Sequence, residues 1–229
     1  CSSVNRECFI PSVSLIRRTL PKSGGSSGAQ VTLDRVETMG RQDVPFEWQR
    51  ARAETLDALG RADEAQAFRW QCFEQSLSDQ HLRAFLKRLP DFDDLEAEQK
   101  ASAYVQTFPD VHRALAFFLH WPALGEGAKL VQKRTSELDG NLYELMTMAA
   151  EALAEKYPLA ATIVLRAMID FTLDSARSSR YKHAARHLVT CASLTPHIHD
   201  FGNAGSHDAY VAELKRRHSK KPGFWSLVG

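Results

Sequence analysis

The chain has 229 residues, 44% of them hydrophobic and 25% charged, a balance that supports a sizeable core and excludes the composition of intrinsic disorder. Its longest strongly apolar stretch, Pro158 to Leu173, is broken by Arg166 and Asp170 and falls short of the about 20 residues that cross a bilayer, so no transmembrane helix is expected. The net charge of +1 conceals an asymmetry: residues 177–221 hold nine Lys/Arg against three acids, and six of the nine histidines.

The four cysteines, Cys1, Cys8, Cys72 and Cys191, form no CxxC pair. That points away from a zinc knuckle or a disulfide framework and toward a reducing cytoplasm. The opening Cys1-Ser2-Ser3 fits the truncation of a longer chain, with the processed end of a bacterial lipoprotein as the alternative. Residues 1–44 carry weak periodicity and the stretch "PKSGGSSGAQ" (21–30), a linker composition that reads as a poorly ordered N-terminal arm.

From Pro45 to residue 229 the pattern is helical, with periodic segments separated by Gly, Pro, Asp and Asn and no alternating strand. Pro45 and Gly60 frame a helix over 46–59, and others are predicted over 62–77, 79–88, 93–107 and 110–120. The turn "LGRADEA" (59–65) resembles that of a tetratricopeptide repeat, although no 34-residue recurrence accompanies it. Asp91, Asp93 and Asp94 read as helix-start acids favoured by the macrodipole.

Further helices are expected over 126–138, 141–156, 158–177, 180–194 and 206–219. Short connectors imply antiparallel neighbours. The fold class is therefore all-α: an α-solenoid-like stack of antiparallel helix pairs, about ten helices in all. The segment 158–177 is apolar nearly all round, which marks it as central. Thr162, Arg166, Asp170 and Asp174 interrupt it as a polar line at four-residue spacing, and Arg166 and Asp170 read as a structural ion pair bordering the core.

The stretch "RYKHAARHLVTC" (180–191) raises the question of a metal. At 100° per residue, His183, His187 and Cys191 fan across about 80° of one helix surface, with Cys191 at the edge of the apolar stripe and the histidines further out. The metalloprotease pattern needs Glu after the first histidine as general base; Ala184 stands there. Zinc would need a third ligand as well, from His197, His199 or His207. The histidines are accordingly read as boundary residues, with zinc at His183, His187 and Cys191 as the minor alternative. No catalytic residue and no cofactor are expected, and no nucleophile elbow, phosphate loop or dinucleotide fingerprint occurs.

The end of the chain, "HDAYVAELKRRHSKKPGFWSLVG" (207–229), joins an amphipathic basic helix to Phe224 and Trp225. Those aromatics are expected to fold back and close the stack.

Four stretches resemble an uncharacterised, predominantly helical proteobacterial family. They are "ALGRADEAQAFRWQCFEQSLSDQHLRAFLKRLPDFDD" (58–94), "YPLAATIVLRAMIDFTL" (157–173), "SSRYKHAARHL" (178–188) and "HDAYVAELKRRHSKKPGFW" (207–225). The resemblance is to the C-terminal portion of that family, covers roughly four-fifths of this chain, and leaves residues 1–44 outside the pattern. It implies a helical fold and brings no activity or site residue with it. A fainter similarity links the final histidine and lysine block to helical regions that accompany SWIM-type zinc fingers, but the zinc-binding cysteines of that finger are absent.

The reading that follows is a cytoplasmic helical scaffold or interaction module for a protein or peptide partner. Its expected contact residues are Arg180, His183, Arg186 and His187, with Lys215, Arg216, His218 and Lys220 as a second basic cluster. Nucleic-acid binding through the basic block is the alternative, and a metal-dependent hydrolase the third reading.

Overall fold

The computed structural model describes residues 45–90 and 92–228. The arm expected over 1–44, with Cys1, Cys8 and the 21–30 linker, lies outside the described residues, as do Asp91 and Gly229. Among the described residues there are eleven α-helices and no strand. In chain order they are α1 (Phe46–Ala58), α2 (Ala62–Ser76), α3 (Asp79–Leu86), α4 (Asp93–Gln106), α5 (Val111–His120), α6 (Leu124–Lys133), α7 (Tyr143–Ala154), α8 (Pro158–Asp174), α9 (Tyr181–Leu194), α10 (His207–His218) and α11 (Pro222–Val228). No helix among them is long and apolar enough to cross a membrane.

Helices adjacent in sequence pack against each other from α1 through α9, and contacts that skip one helix join α4 to α6, α5 to α7 and α6 to α8. Gly60 adopts φ +75°, a left-handed conformation that costs a β-carbon-free residue little, and Ala65 is fully buried where α1 meets α2. Arg69 is buried too and reaches Asp57 on α1, which also pairs with Arg88 at 3.2 Å. These two guanidinium groups, Arg69 foremost, hold the Asp57 carboxyl below its ordinary pKa.

The middle of the stack is aromatic. Phe73 packs against Trp70 and Phe117 at ring separations of 5.3 and 5.6 Å, and Phe117 stacks on Trp121 at 5.8 Å. Each such pair contributes about 0.5–1.5 kcal/mol beyond the area it buries. α5 is started by Asp110, whose carboxylate accepts from the backbone N–H groups of His112 and Arg113, a cap worth about 1 kcal/mol.

Two departures from the periodicity exceed a shift of helix ends by a few residues. The helix expected over 126–138 begins at Leu124 and breaks at Arg134 into a short 3-10 turn over Thr135–Glu137. The cause is tertiary: the Arg134 guanidinium donates to the carbonyls of Phe108 and Pro109, which holds the chain at that point. The second difference is an eleventh helix, α11, where Phe224 and Trp225 were expected to fold back without a helix of their own. It is a single short element, and Phe224 within it is fully buried, edge-on to Tyr181 of α9 at 5.9 Å. Phe224 folds back onto α9, as expected.

α8 is the centre of the C-terminal half. Pro158 sits at its first turn, where the missing N–H costs nothing, and eleven of its seventeen residues are buried. It packs against α6, α7 and α9.

Candidate functional site

α7 and α9 both pack on α8, and a groove of about 240 Å³ opens between them, with Leu165 of α8 in its lining. Its walls carry Tyr143, Thr147 and Glu151 from α7 and His183, Arg186 and His187 from α9. The Tyr143 hydroxyl lies 3.3 Å from His183 Nδ1, and the Tyr143 ring lies 5.7 Å from that imidazole and 6.0 Å from the His187 ring. His187 Nε2 is buried and finds no hydrogen-bond partner among the described residues. Burial, followed by the nearby His183 and Arg186, pushes the His187 pKa down to about 4, so the ring is neutral at pH 7. Arg180 donates to the Asn141 side chain at 3.2 Å, and no acid pairs with Arg186 among the described residues.

Cys191 faces elsewhere. It is fully buried, and burial pushes its thiol up to about 12 against the lowering influence of Arg166. Groups of three or more His, Cys, Asp or Glu that could hold a metal do not occur among the described residues. The helical wheel put His183, His187 and Cys191 within reach of one surface. The fold turns the cysteine into the core and the histidines toward α7.

The second predicted cluster is also divided. His218 is buried, with Nε2 3.3 Å from Asp174 of α8, and burial lowers its pKa. Arg216 donates to both carboxylate oxygens of Glu213 on its own helix, at 2.8 and 2.6 Å. Lys215 stands 5.9 Å from the Trp225 ring, and Lys220 is exposed. Thus Lys215 and Lys220 remain outward, whereas His218 supports the packing of α10 on α8.

A larger recess, about 490 Å³, lies on another side of α8, bounded by the 135–140 connector, the 203–204 turn and α10. Ile163, Arg166, Ala167 and Asp170 reach it from α8, and Tyr210 from α10. Gly140 is required in its wall, because a β-carbon there would overlap the backbone of Ala167. The expected Arg166–Asp170 ion pair is absent. Arg166, 6% exposed, instead donates through Nη1 to the carbonyls of Ala204 and Gly205 and through Nη2 to that of Ser206. These bonds tie the α9–α10 connector to α8. Its guanidinium also lies 4.4 Å from the Tyr210 ring, a favourable cation–π geometry.

Asp170 pairs with Arg217 at 3.4 Å, while the stronger contacts of Arg217 go to Asp174 at 2.6 and 2.8 Å. Burial outweighs the Arg217 charge and pushes the Asp170 pKa up to about 6. Burial likewise raises the pKa of Tyr210, whose hydroxyl donates to the Arg166 carbonyl at 3.3 Å. The polar line along 158–177 was the signal for this recess. Spacing alone could not supply Tyr210 or the carbonyls of 204–206.

The described residues form an all-helical protein in which these two recesses lie on different sides of one buried helix. The chain matches the model of a Family of unknown function (DUF6880) over residues 5–227, and it belongs to that family. The match begins well before residue 45, so residues 5–44, expected to depart from the family pattern, fall inside it. No curated protein and no solved structure matches the chain.

Proposed function

We propose that the protein is a helical interaction module that holds a partner peptide in the α7–α9 groove, and that the peptide carries carboxylates beside apolar side chains. The observation that carries this reading is the convergence of Arg186, His183 and the buried, unpartnered His187 Nε2 on one furrow floored by Leu165. Arg186 and Arg180 supply cations for carboxylates. Ala150, Ala154, Leu165 and Leu194 in the lining supply apolar contact. An amphipathic segment laid along such a furrow is a familiar mode of peptide recognition. A cytoplasmic location belongs to the same proposal and is supported by two buried free thiols, Cys72 and Cys191.

The nucleic-acid alternative is less well supported. Arg216 and Arg217 are engaged by Glu213, Asp170 and Asp174, which leaves fewer cations to meet phosphates.

Peptide display against the full chain, followed by titration of the enriched peptides, tests the reading. Enrichment of acidic amphipathic sequences is expected, with binding weakened about tenfold or more by Arg186→Glu, as for a lost charge-assisted contact, and unchanged by Lys220→Glu. A selection without an enriched motif, or equal binding by Arg186→Glu, would overturn it.

A further inference from the structure

Arg166 and Asp170 present opposite charges to one recess from successive turns of α8, yet neither is the other's partner. Arg166 is more than nine-tenths buried, has no carboxylate within ion-pairing distance among the described residues, and keeps its Nε–H without an acceptor. A buried charge held by neutral carbonyls and the Tyr210 ring, with no carboxylate beside it, is incompletely compensated. Nε and Nη2 form one edge of the guanidinium fork. The only bond on that edge is the contact from Nη2 to the Ser206 carbonyl, at 3.3 Å the longest of the three, while Nη1 holds Ala204 and Gly205 at 2.5 and 3.1 Å. Exchange of that carbonyl contact for a carboxylate would uncover Nε, which is closed off from solvent here, and leave the connector held by Nη1.

Asp170 has no strong ion pair either: Arg217 gives it a single 3.4 Å contact and commits its shorter ones to Asp174, and its other side-chain partner is the neutral Tyr210 hydroxyl. Around these two heads the lining is mixed: Ile163, Ala167 and Phe171 from α8 and Leu138 from the connector form its apolar part, and Thr135, Asp139, Asn203 and Tyr210 its polar part. A recess of about 490 Å³ lies within the range of small-molecule sites. The ligand that complements it carries an anion and a cation a short distance apart, on an apolar body.

We propose that this recess binds a free α-amino acid with an apolar side chain. Its carboxylate is held on the Nε/Nη2 edge of Arg166, its ammonium donates to the Asp170 carboxylate, and its side chain lies against Ile163, Phe171 and Leu138. The proposal is independent of the α7–α9 groove and survives if that groove binds nothing.

Calorimetric titration of the full chain with L-leucine, L-methionine and L-phenylalanine provides the test. Isocaproate serves as the carboxylate-only analogue of leucine and isoamylamine as the amine-only one. The expected result is one site per chain for at least one amino acid, with leucine binding at least about tenfold tighter than either analogue, the scale of one lost charge-assisted hydrogen bond. Asp170→Asn is expected to weaken leucine by about the same factor and leave isocaproate unchanged. Absence of binding by all three amino acids would overturn the proposal, as would an analogue equal to leucine. The comparison among ligands on the unaltered chain decides the matter even if the variant does not fold.

Discussion

Gly140 stands so close to Ala167 that a β-carbon at position 140 would overlap the Ala167 carbonyl and crowd Met168 Cα. The neighbour is helix backbone in the middle of α8, which cannot swing aside as a side-chain tip can. Gly140→Ala is therefore expected to push the 135–140 connector off α8 and destabilise the protein by about 3 kcal/mol, the upper part of the overpacking range. Urea unfolding would register a lower midpoint at unchanged slope. A midpoint equal to that of the unaltered chain would contradict the close approach.

Arg166 gathers three carbonyls of the α9–α10 connector, so Arg166→Met takes the guanidinium donor from the half-buried Ala204 and Gly205 carbonyls, while that of Ser206 keeps the Tyr210 N–H. The expected cost is about 1–3 kcal/mol, the scale of leaving a part-buried acceptor without its donor. Arg166→Lys is expected to recover little of it, because an ammonium lacks the planar fork. Hydrogen exchange checks the mechanism: amides within 202–206 should exchange faster in Arg166→Met, while those of α2 do not change.

Asp170 titrates from about 6 in the folded chain against an ordinary 3.8. The folded state thus takes up its proton before the unfolded state does. Burial of the carboxylate opposes folding above pH 6, and that opposition is relieved as the pH falls from about 7 to 4. The groups facing it are Arg166 and Asp174 on α8, Tyr210 and Arg217 on α10, and Asp139 at the mouth of the recess. Asp170→Asn should therefore be relatively more stabilising at pH 7.5 than at pH 4.5, by on the order of 1–2 kcal/mol after allowance for partial exposure. An effect of the same size at both values would show that the carboxylate is not desolvated.

His187 has the opposite sign. Its folded pKa of about 4 lies below the ordinary 6.5, so its contribution is complete above pH 6.5 and lost as the pH falls toward 4. Proton NMR of the imidazole should reveal no titration midpoint above pH 5. His187→Phe should flatten the acid limb of the stability profile by on the order of 2 kcal/mol. His81, His207 and His218 are shifted down by burial as well, so part of the limb persists in the variant.

Much of the architecture was legible because it rests on local signals. Pro158, an apolar run on every side and the acids of the first turns mark helices without reference to neighbours. The polar line through Arg166 and Asp170 was equally visible, but spacing reports only which residues share a helix face. It suggested a pair four residues apart, whereas the partners of Arg166 are carbonyls 38–40 residues away. No local pattern encodes a backbone acceptor on a distant turn. The histidines of α9 were placed correctly at the edge of the buried stripe. Whether the outer ones met α10, α11 or α7 depended on packing angles that the wheel does not contain. α11 was missed as a helix because seven residues span about two turns, too few for periodicity, although the burial of Phe224 could be anticipated from its chemistry.

Leu165 and Arg166 are consecutive residues of α8, one lining the α7–α9 groove and the other the 490 Å³ recess. A helix is stiff along its axis, so a sub-ångström slide or roll of α8 changes the width of both openings at once. Any occupant of one that prefers a particular setting of this shared rod must bias affinity at the other, and thermodynamic reciprocity requires the bias to be equal in both directions.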